Sequence, residues 1–190
     1  MKAVILNGAR DADPVITAVE SSMIRLLEEE GWEVEAIALR EKNIASCLGC
    51  FGCWVKTPGI CVIDDYGRET AKKIIQSNLM IWLTPVTFGG YSSELKKALD
   101  RSIPILLPYF ESYKGQIHHK MRYKKYPKLL VIGTEPRNTD YEETFFALTE
   151  RNVLNLRPPK HATGVFKKNE NLEKTLPFVE DLLRKVDVIS

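Results

Sequence analysis

The chain has 190 residues, 44% of them hydrophobic, with twenty-seven basic against twenty-five acidic side chains. That length and apolar content suit one domain with an ample core, and a formal charge of +2 removes any global electrostatic case for nucleic acid or for an acidic partner protein. No segment approaches eighteen uninterrupted apolar residues and the opening apolar run is too short for a signal peptide, so the expectation is a soluble, cytoplasmic protein with no membrane partner and with reduced thiols.

Taken in chain order, short apolar runs alternate with helix-length amphipathic segments, with no repeats. Lys2 to Leu6 reads as a buried strand. Asp13-Pro14 then supplies a cap and a proline at the first helical position, and the helix runs to about Glu30, where Gly31 stops it. Trp32 to Leu39 alternates as a second strand. A cysteine-bearing loop spans about 43–63, and Asp64 or Asp65 caps a helix to about Gln76. Leu79 to Leu83, wholly apolar, is a third strand expected at the centre of the sheet. After Thr84-Pro85-Val86-Thr87-Phe88-Gly89-Gly90, Ser92 or Ser93 caps a helix to about Arg101. Leu129 to Ile132 is a fourth strand, Tyr141 to about Asn155 a helix, Ala162 to Phe166 a fifth strand, and Asn171 to about Lys185 the closing helix. The alternation predicts one α/β domain over residues 1–190, a doubly wound five-stranded parallel sheet of flavodoxin type with order 2-1-3-4-5. Ligands of such sheets sit beyond the carboxyl ends of the strands, where the winding reverses. The loops after strands 1 and 3 and the cysteine loop are expected to share that edge.

All four cysteines fall within fifteen positions, as Cys47-Leu-Gly-Cys50-Phe-Gly-Cys53 followed by Cys61. Three thiols spaced by two residues surround one point when the backbone turns, as in bacterial ferredoxin ligation, and a fourth can close the site. With no further cysteine, at most one four-cysteine cluster can form, and a [4Fe–4S] centre is the natural reading. Structural zinc, a purely structural loop and a disulfide formed on oxidation remain alternatives. Trp54 beside Cys53 either shields a cluster from water or packs on the sheet edge. His118, His119 and His161 suggest no metal site. The run Lys114 to Lys128, with six basic residues, two histidines and no acid, reads first as a solvated connecting segment, then as a dock for an acidic electron donor or an NADPH phosphate, and least as a nucleic-acid surface.

The stretch Cys47-x-x-Cys50-x-x-Cys53-Trp54, Lys56-Thr57-Pro58-Gly59-x-Cys61-x-x-Asp64-Asp65, joined to Thr84 through Gly89 and to Leu95-Lys96-x-x-x-Asp100-Arg101, resembles the iron–sulfur flavoproteins within the NADPH-dependent FMN reductase group. The similarity covers roughly residues 1–135. It implies an FMN-binding redox protein, usually a homo-oligomer (dimer or tetramer), that passes electrons between ferredoxin or NAD(P)H and an acceptor. Cys47, Cys50, Cys53 and Cys61 would hold the [4Fe–4S] cluster near a flavin, in the same or a neighbouring subunit. The flavin would contact Gly8, Ala9, Arg10 and Thr17 after strand 1, then Thr84, Pro85, Val86, Thr87, Phe88 and Gly89 after strand 3, with the Thr87 to Gly89 amides on the ring edge and Phe88 or Tyr91 near the ring. Gly133 and Thr134 would form a third wall. No side chain need act as acid, base or nucleophile, because a flavin and a cluster carry the electrons.

The first loop departs from the family pattern of a hydroxyl-rich phosphate site. Ala9 lacks a hydroxyl, Pro14 lacks an amide hydrogen, Asp11 adds repulsion, and the Asp13 carboxylate is expected to take the donors a phosphate needs. Arg10 offsets part of this. An FMN/quinone reductase without a cluster, and a non-enzymatic zinc-binding or thiol redox-sensing module, are the alternatives.

Overall fold

A computed structural model describes residues 1–135, 140–168 and 170–189. The elements are β1 (Lys2–Asn7), α1 (Pro14–Glu29), β2 (Glu33–Ala38), α2 (Gly52–Val55), α3 (Tyr66–Gln76), β3 (Leu79–Pro85), α4 (Ser93–Asp100), β4 (Leu106–Tyr113), β5 (Gln116–Met121), β6 (Lys128–Glu135), α5 (Glu142–Leu156), β7 (His161–Lys167) and α6 (Thr175–Lys185). Five strands make one parallel sheet in the order β2-β1-β3-β6-β7. Counting only these strands, that is the expected 2-1-3-4-5 winding.

The two faces of the sheet bury different halves of the alternating pattern. Ala3 and Ile5 of β1 join Val19, Met23 and Leu27 of α1 and Leu182 and Leu183 of α6 on one side. Val4 and Leu6 join Ile74 of α3, Leu95 of α4 and Phe145 of α5 on the other. Successive strand side chains point to opposite faces, so a strand covered by helices on both sides must be apolar throughout. β3 meets that condition, its first six residues all being buried, and it sits at the centre as its composition predicts.

Three features differ from the expected elements. A four-residue helix, α2, carries Cys53 inside the cysteine loop. β6 is twice the expected length, reaching Glu135. Residues 106–121 form an antiparallel hairpin, β4 with β5, where a solvated connection was expected from Lys114 onward. Lys114 (φ 50°) and Gly115 (φ 74°) close it; two successive residues in the left-handed region match the twist of the flanking strands. The basic run is correspondingly spent in part on structure. Arg122 donates to the carbonyls of Pro104 (2.8 Å) and Leu106 (3.3 Å), and Lys128 to that of Asp187 (2.8 Å). No helix among the described residues is long and apolar enough to cross a membrane.

Candidate functional site

The three loops expected to meet a flavin do meet one another. The Gly8 amide donates to the Leu83 carbonyl (2.7 Å), and the Val86 amide to that of Thr134 (2.8 Å). Ser92 is the junction: its Oγ accepts from the Leu95 amide (3.2 Å), capping α4, and donates to the Gly8 carbonyl (2.6 Å), while its own amide donates to Thr84 Oγ1 (3.0 Å). Glycine is required here by close packing. A Cβ on Gly8 would stand 2.7 Å from Ser92 Oγ, and one on Gly133 would stand 2.6 Å from the Val86 side chain.

Around this junction the expected flavin contacts divide. Ala9, Thr84, Val86 and Thr134 are buried, whereas Phe88 is 85% exposed and meets Tyr141 edge-on at 6.3 Å. The Thr87 amide is committed to the Gly90 carbonyl (2.9 Å) in the turn, which removes one of the three amides expected on the ring edge. Those of Phe88 and Gly89 have no backbone partner among the described residues. The Thr134 hydroxyl is buried and unpartnered there as well. A buried hydroxyl without a partner is uncommon and marks a place where a ligand atom or a water belongs.

The start of α1 is occupied as its sequence suggests. Asp13 accepts from the amides of Val15 (3.0 Å) and Ile16 (3.4 Å). The Thr17 hydroxyl donates to the Asp13 carbonyl (3.0 Å), and the Ala9 amide to Asn7 Oδ1 (2.9 Å). Of Gly8, Ala9, Arg10 and Thr17, only Arg10 keeps side-chain donors uncommitted among the described residues. Sequence reasoning missed Lys168, which follows β7 and forms an ion pair with Asp13 from 155 positions away. It also missed Glu135, fully buried at the end of β6, paired with Lys167 and accepting from the Tyr141 amide (2.6 Å). The one local signal was the Lys167-Lys168 pair after the fifth strand.

The cysteine loop packs on the face of the sheet covered by α3, α4 and α5. All four cysteines line one cavity of about 510 Å³, together with Trp82, Tyr91, Arg101 and His119. Cys53 is 6% exposed, Cys61 partly covered, and Cys47 and Cys50 exposed; none is in a disulfide. Burial pushes the Cys53 thiol pKa up, and the neighbouring Cys61, Cys47 and Cys50 push it further. Phe51, at φ 55°, turns the chain into α2. Trp54 donates to the Leu106 carbonyl (3.0 Å) and lies 4.9 Å from the His119 ring, so its role is to dock the loop onto the hairpin.

Both ends of this loop converge on one buried ion pair. Asp65 caps α3 through the Gly67 amide (2.9 Å) and accepts from the Ala45 amide (2.9 Å), while Arg101 grips it with both terminal nitrogens at 2.8 Å. Burial raises the Asp65 pKa, but the Arg101 hydrogen bonds and the two amides outweigh it and hold the carboxyl below its ordinary range. Asp64 instead pairs with Arg68 at 2.8 Å.

A cubane takes four thiolates, one on each of four irons, and four thiols line this one cavity, whereas among the described residues no group of three His, Cys, Asp or Glu side chains is placed to hold a metal ion.

The profile of the NADPH-dependent FMN reductase family matches residues 1–121. The chain belongs to that family. Among curated relatives, an iron-sulfur flavoprotein of Methanocaldococcus jannaschii is 34% identical over 109 residues, 57% of this chain and 55% of that protein. An iron-sulfur flavoprotein of Archaeoglobus fulgidus is 30% identical over 104 residues, 55% of this chain and 46% of the relative. The chain thus spans about half the length of the curated relatives it matches. Of solved structures, the NAD(P)H:quinone oxidoreductase from Methanothermobacter marburgensis superposes with a TM-score of 0.72 at 14% identity, covering 98% of this chain and 97% of the other. An FMN-dependent NADH-azoreductase from Bacillus anthracis, in complex with FMN, gives 0.65 at 15% identity, with 98% of both chains covered. At these identities the structural likeness establishes the flavodoxin-like fold.

Proposed function

We propose that this chain is an FMN-dependent oxidoreductase carrying one [4Fe–4S] cluster on Cys47, Cys50, Cys53 and Cys61, and that it passes electrons between NAD(P)H or ferredoxin and an acceptor. The observation that carries the proposal is the single cavity lined by all four cysteines and by Tyr91, the residue directly after the expected flavin loop Thr84 to Gly90. When bound, the flavin supplies the exchange between two-electron and one-electron chemistry and the cluster stores single electrons. The chain's own residues do the positioning. Ser92 joins the loops after β1 and β3; the Phe88 and Gly89 amides and the Thr134 hydroxyl, without partners among the described residues, offer hydrogen bonds; and Arg10 and Lys168, the latter paired with Asp13, supply cations near the start of α1. No side chain is required as acid, base or nucleophile.

Family membership favours an enzyme over a zinc-binding or thiol-sensing module. Reduced, iron-competent thiols fit a cytoplasmic setting, and the exposed apolar side chains Leu48, Phe51 and Val55 on the cysteine loop, with Phe110 and Ile117 on the hairpin, support a homo-oligomer. The second reading, a reductase of quinones or similar acceptors without a cluster, is favoured by one observation: among the described residues no three His, Cys, Asp or Glu side chains form a group that could hold a metal ion.

Iron and acid-labile sulfide analysis of anaerobically purified protein, with a visible spectrum before and after dithionite, separates the two. The expected result is flavin bands over a broad shoulder that bleaches on reduction. Cys50→Ala is expected to abolish the shoulder and the iron while leaving the flavin. Flavin without iron in the wild-type protein, even after reconstitution, would leave the plain reductase, and iron undiminished in Cys50→Ala would overturn the ligand assignment.

A further inference from the structure

The cavity lined by the cysteines has a second wall, made by the sheet and α5. Met80 and Trp82 alternate along β3 and so share one face of it, while Leu148, Asn152 and Leu156 recur every four residues along one side of α5. Four of these five side chains are apolar. The volume, about 510 Å³, is that of a small-molecule site, and such sites combine an apolar lining with a few placed polar groups. The lysine, aspartate and arginine of the lining are spent on partners: Lys96 Nζ donates to both Asp100 oxygens (2.6 and 2.7 Å), and Arg101 is paired with Asp65. A charged ligand finds no free ionic partner among them, which favours a neutral one.

One hydroxyl of the lining has a proton to give. Tyr91 and Asn152 both line the cavity, and Asn152 Nδ2 donates to the Leu148 carbonyl (3.0 Å) and to the Tyr91 hydroxyl (3.0 Å). A carbonyl can only accept, so the amide nitrogen is the atom facing both, and the Tyr91 oxygen is an acceptor. The Tyr91 O–H therefore remains to be donated, and no acceptor for it stands among the described residues. Tyr91 is 9% exposed, and burial pushes its pKa up against a smaller lowering by Asn152, so it stays a phenol. Its ring meets Trp82 (5.7 Å) and Phe145 (5.8 Å) edge-on, which fixes it in place. A buried donor held in position without an acceptor calls for one.

We infer that this cavity is a binding site for a flat, neutral, apolar ring bearing a carbonyl oxygen, with Tyr91 as the donor to that oxygen and Trp82, Leu148 and Leu156 as the apolar wall. Aromatic side chains receive flat rings edge-on or offset. A site built to donate one hydrogen bond selects for it, because a ligand without the acceptor leaves the donor unpaired. The assignment uses no property of a bound metal or flavin. Quinones belong to this class of ligand; their reduction there rests on the oxidoreductase reading above, which binding of a redox-inert ketone does not test.

The test is isothermal titration calorimetry with indanone, a flat two-ring ketone that neither oxidises nor alkylates thiols, and with indane, the same rings without the carbonyl. Each is titrated into the full chain as purified with its flavin, and again after flavin removal. Wild type is expected to bind one indanone per chain in both forms, and indane more weakly. Tyr91→Phe is expected to weaken indanone about tenfold, the size of one lost hydrogen bond in a closed site, and to leave indane unchanged. Leu148→Glu, which puts a charge on the apolar wall, is expected to abolish both. Wild type that binds neither ligand overturns the site, as does indanone binding undiminished in Leu148→Glu. Binding confined to the flavin-free protein would show that the flavin itself fills the cavity, and overturns a separate site. Equal losses of indanone and indane in Tyr91→Phe, or no loss, overturn the phenol as the donor. Should Leu148→Glu fail to fold, Leu156→Glu at the end of α5 takes its place. A chain that takes up no flavin overturns the FMN reading, while indanone binding still decides this site.

Discussion

At the residue scale the site depends on a few side chains that each hold several elements. Ser92 is 1% exposed and caps α4 while satisfying the Gly8 carbonyl. Ser92→Ala removes a cap, at roughly 0.5–2 kcal/mol, and leaves a buried carbonyl unpaired, at roughly 1–3 kcal/mol. The expected outcome is a Tm lower by several degrees in differential scanning calorimetry, since each kcal/mol moves a chain of this size by about 2–4 °C; a change within error would mean that water replaces the hydroxyl. Asp65 makes a pH prediction. Its folded pKa is depressed below the unfolded value of about 3.9. Its stabilising contribution is therefore complete above pH 4 and is lost as pH falls through the depressed value. Acid titration of stability should show wild type losing ground below about pH 4, a component missing in Asp65→Asn, whose stability is already lower at pH 7. Parallel acid limbs for the two proteins would refute it.

At the element scale, the start of α1 is a competition between a cap and a phosphate. The amides of Val15 and Ile16 are those a helix N-terminus offers to an anion, and Asp13 holds both while also pairing with Lys168. Asn caps a helix as well as Asp does, so Asp13→Asn should leave thermal stability nearly unchanged while removing a negative charge and releasing Lys168. FMN affinity in a fluorescence titration of the flavin-free protein is expected to rise several-fold, and that of riboflavin, which lacks the phosphate, to stay constant. A parallel rise for both ligands would show that the phosphate does not bind at α1. The hairpin β4–β5 contributes at the same scale, as the wall against which Trp54 and His119 hold the cysteine loop.

At the scale of the whole molecule, the cavity mouth and the hairpin expose a group of large apolar side chains, with Leu48 and Val55 at 75%, Ile117 at 70% and Phe110 at 63%. Contiguous exposed apolar surface in a protein of ordinary charge marks an interaction face. Light scattering coupled to gel filtration should give a multiple of 21.6 kDa, a dimer or tetramer, and Phe110→Glu with Ile117→Glu should shift it towards the monomer. A monomeric wild-type protein at micromolar concentration would remove the oligomer from the proposed function.

The sheet order, five of the helices and the capping residues of three of them were legible because they rest on short-range terms. An Asp13-Pro14 start, a Ser92 cap and an apolar Leu79 to Leu83 run carry their meaning within a few residues of chain. The four cysteines were legible as one loop for the same reason, and they line one cavity. The hairpin was not, because β4 reads Leu-Leu-Pro-Tyr-Phe-Glu-Ser-Tyr, without alternation, and is held by its partner strand. Nor did local sequence announce that Arg101 pairs with Asp65 from 36 positions away or that Lys168 reaches Asp13. Those contacts exist only once βαβ winding has brought separate loops to common edges and faces, where burial in a low dielectric makes a single guanidinium or carboxylate count far more than it does in water. The residues available for redox chemistry are written in the sequence, and the tertiary structure alone decides which of their hydrogen bonds are already taken.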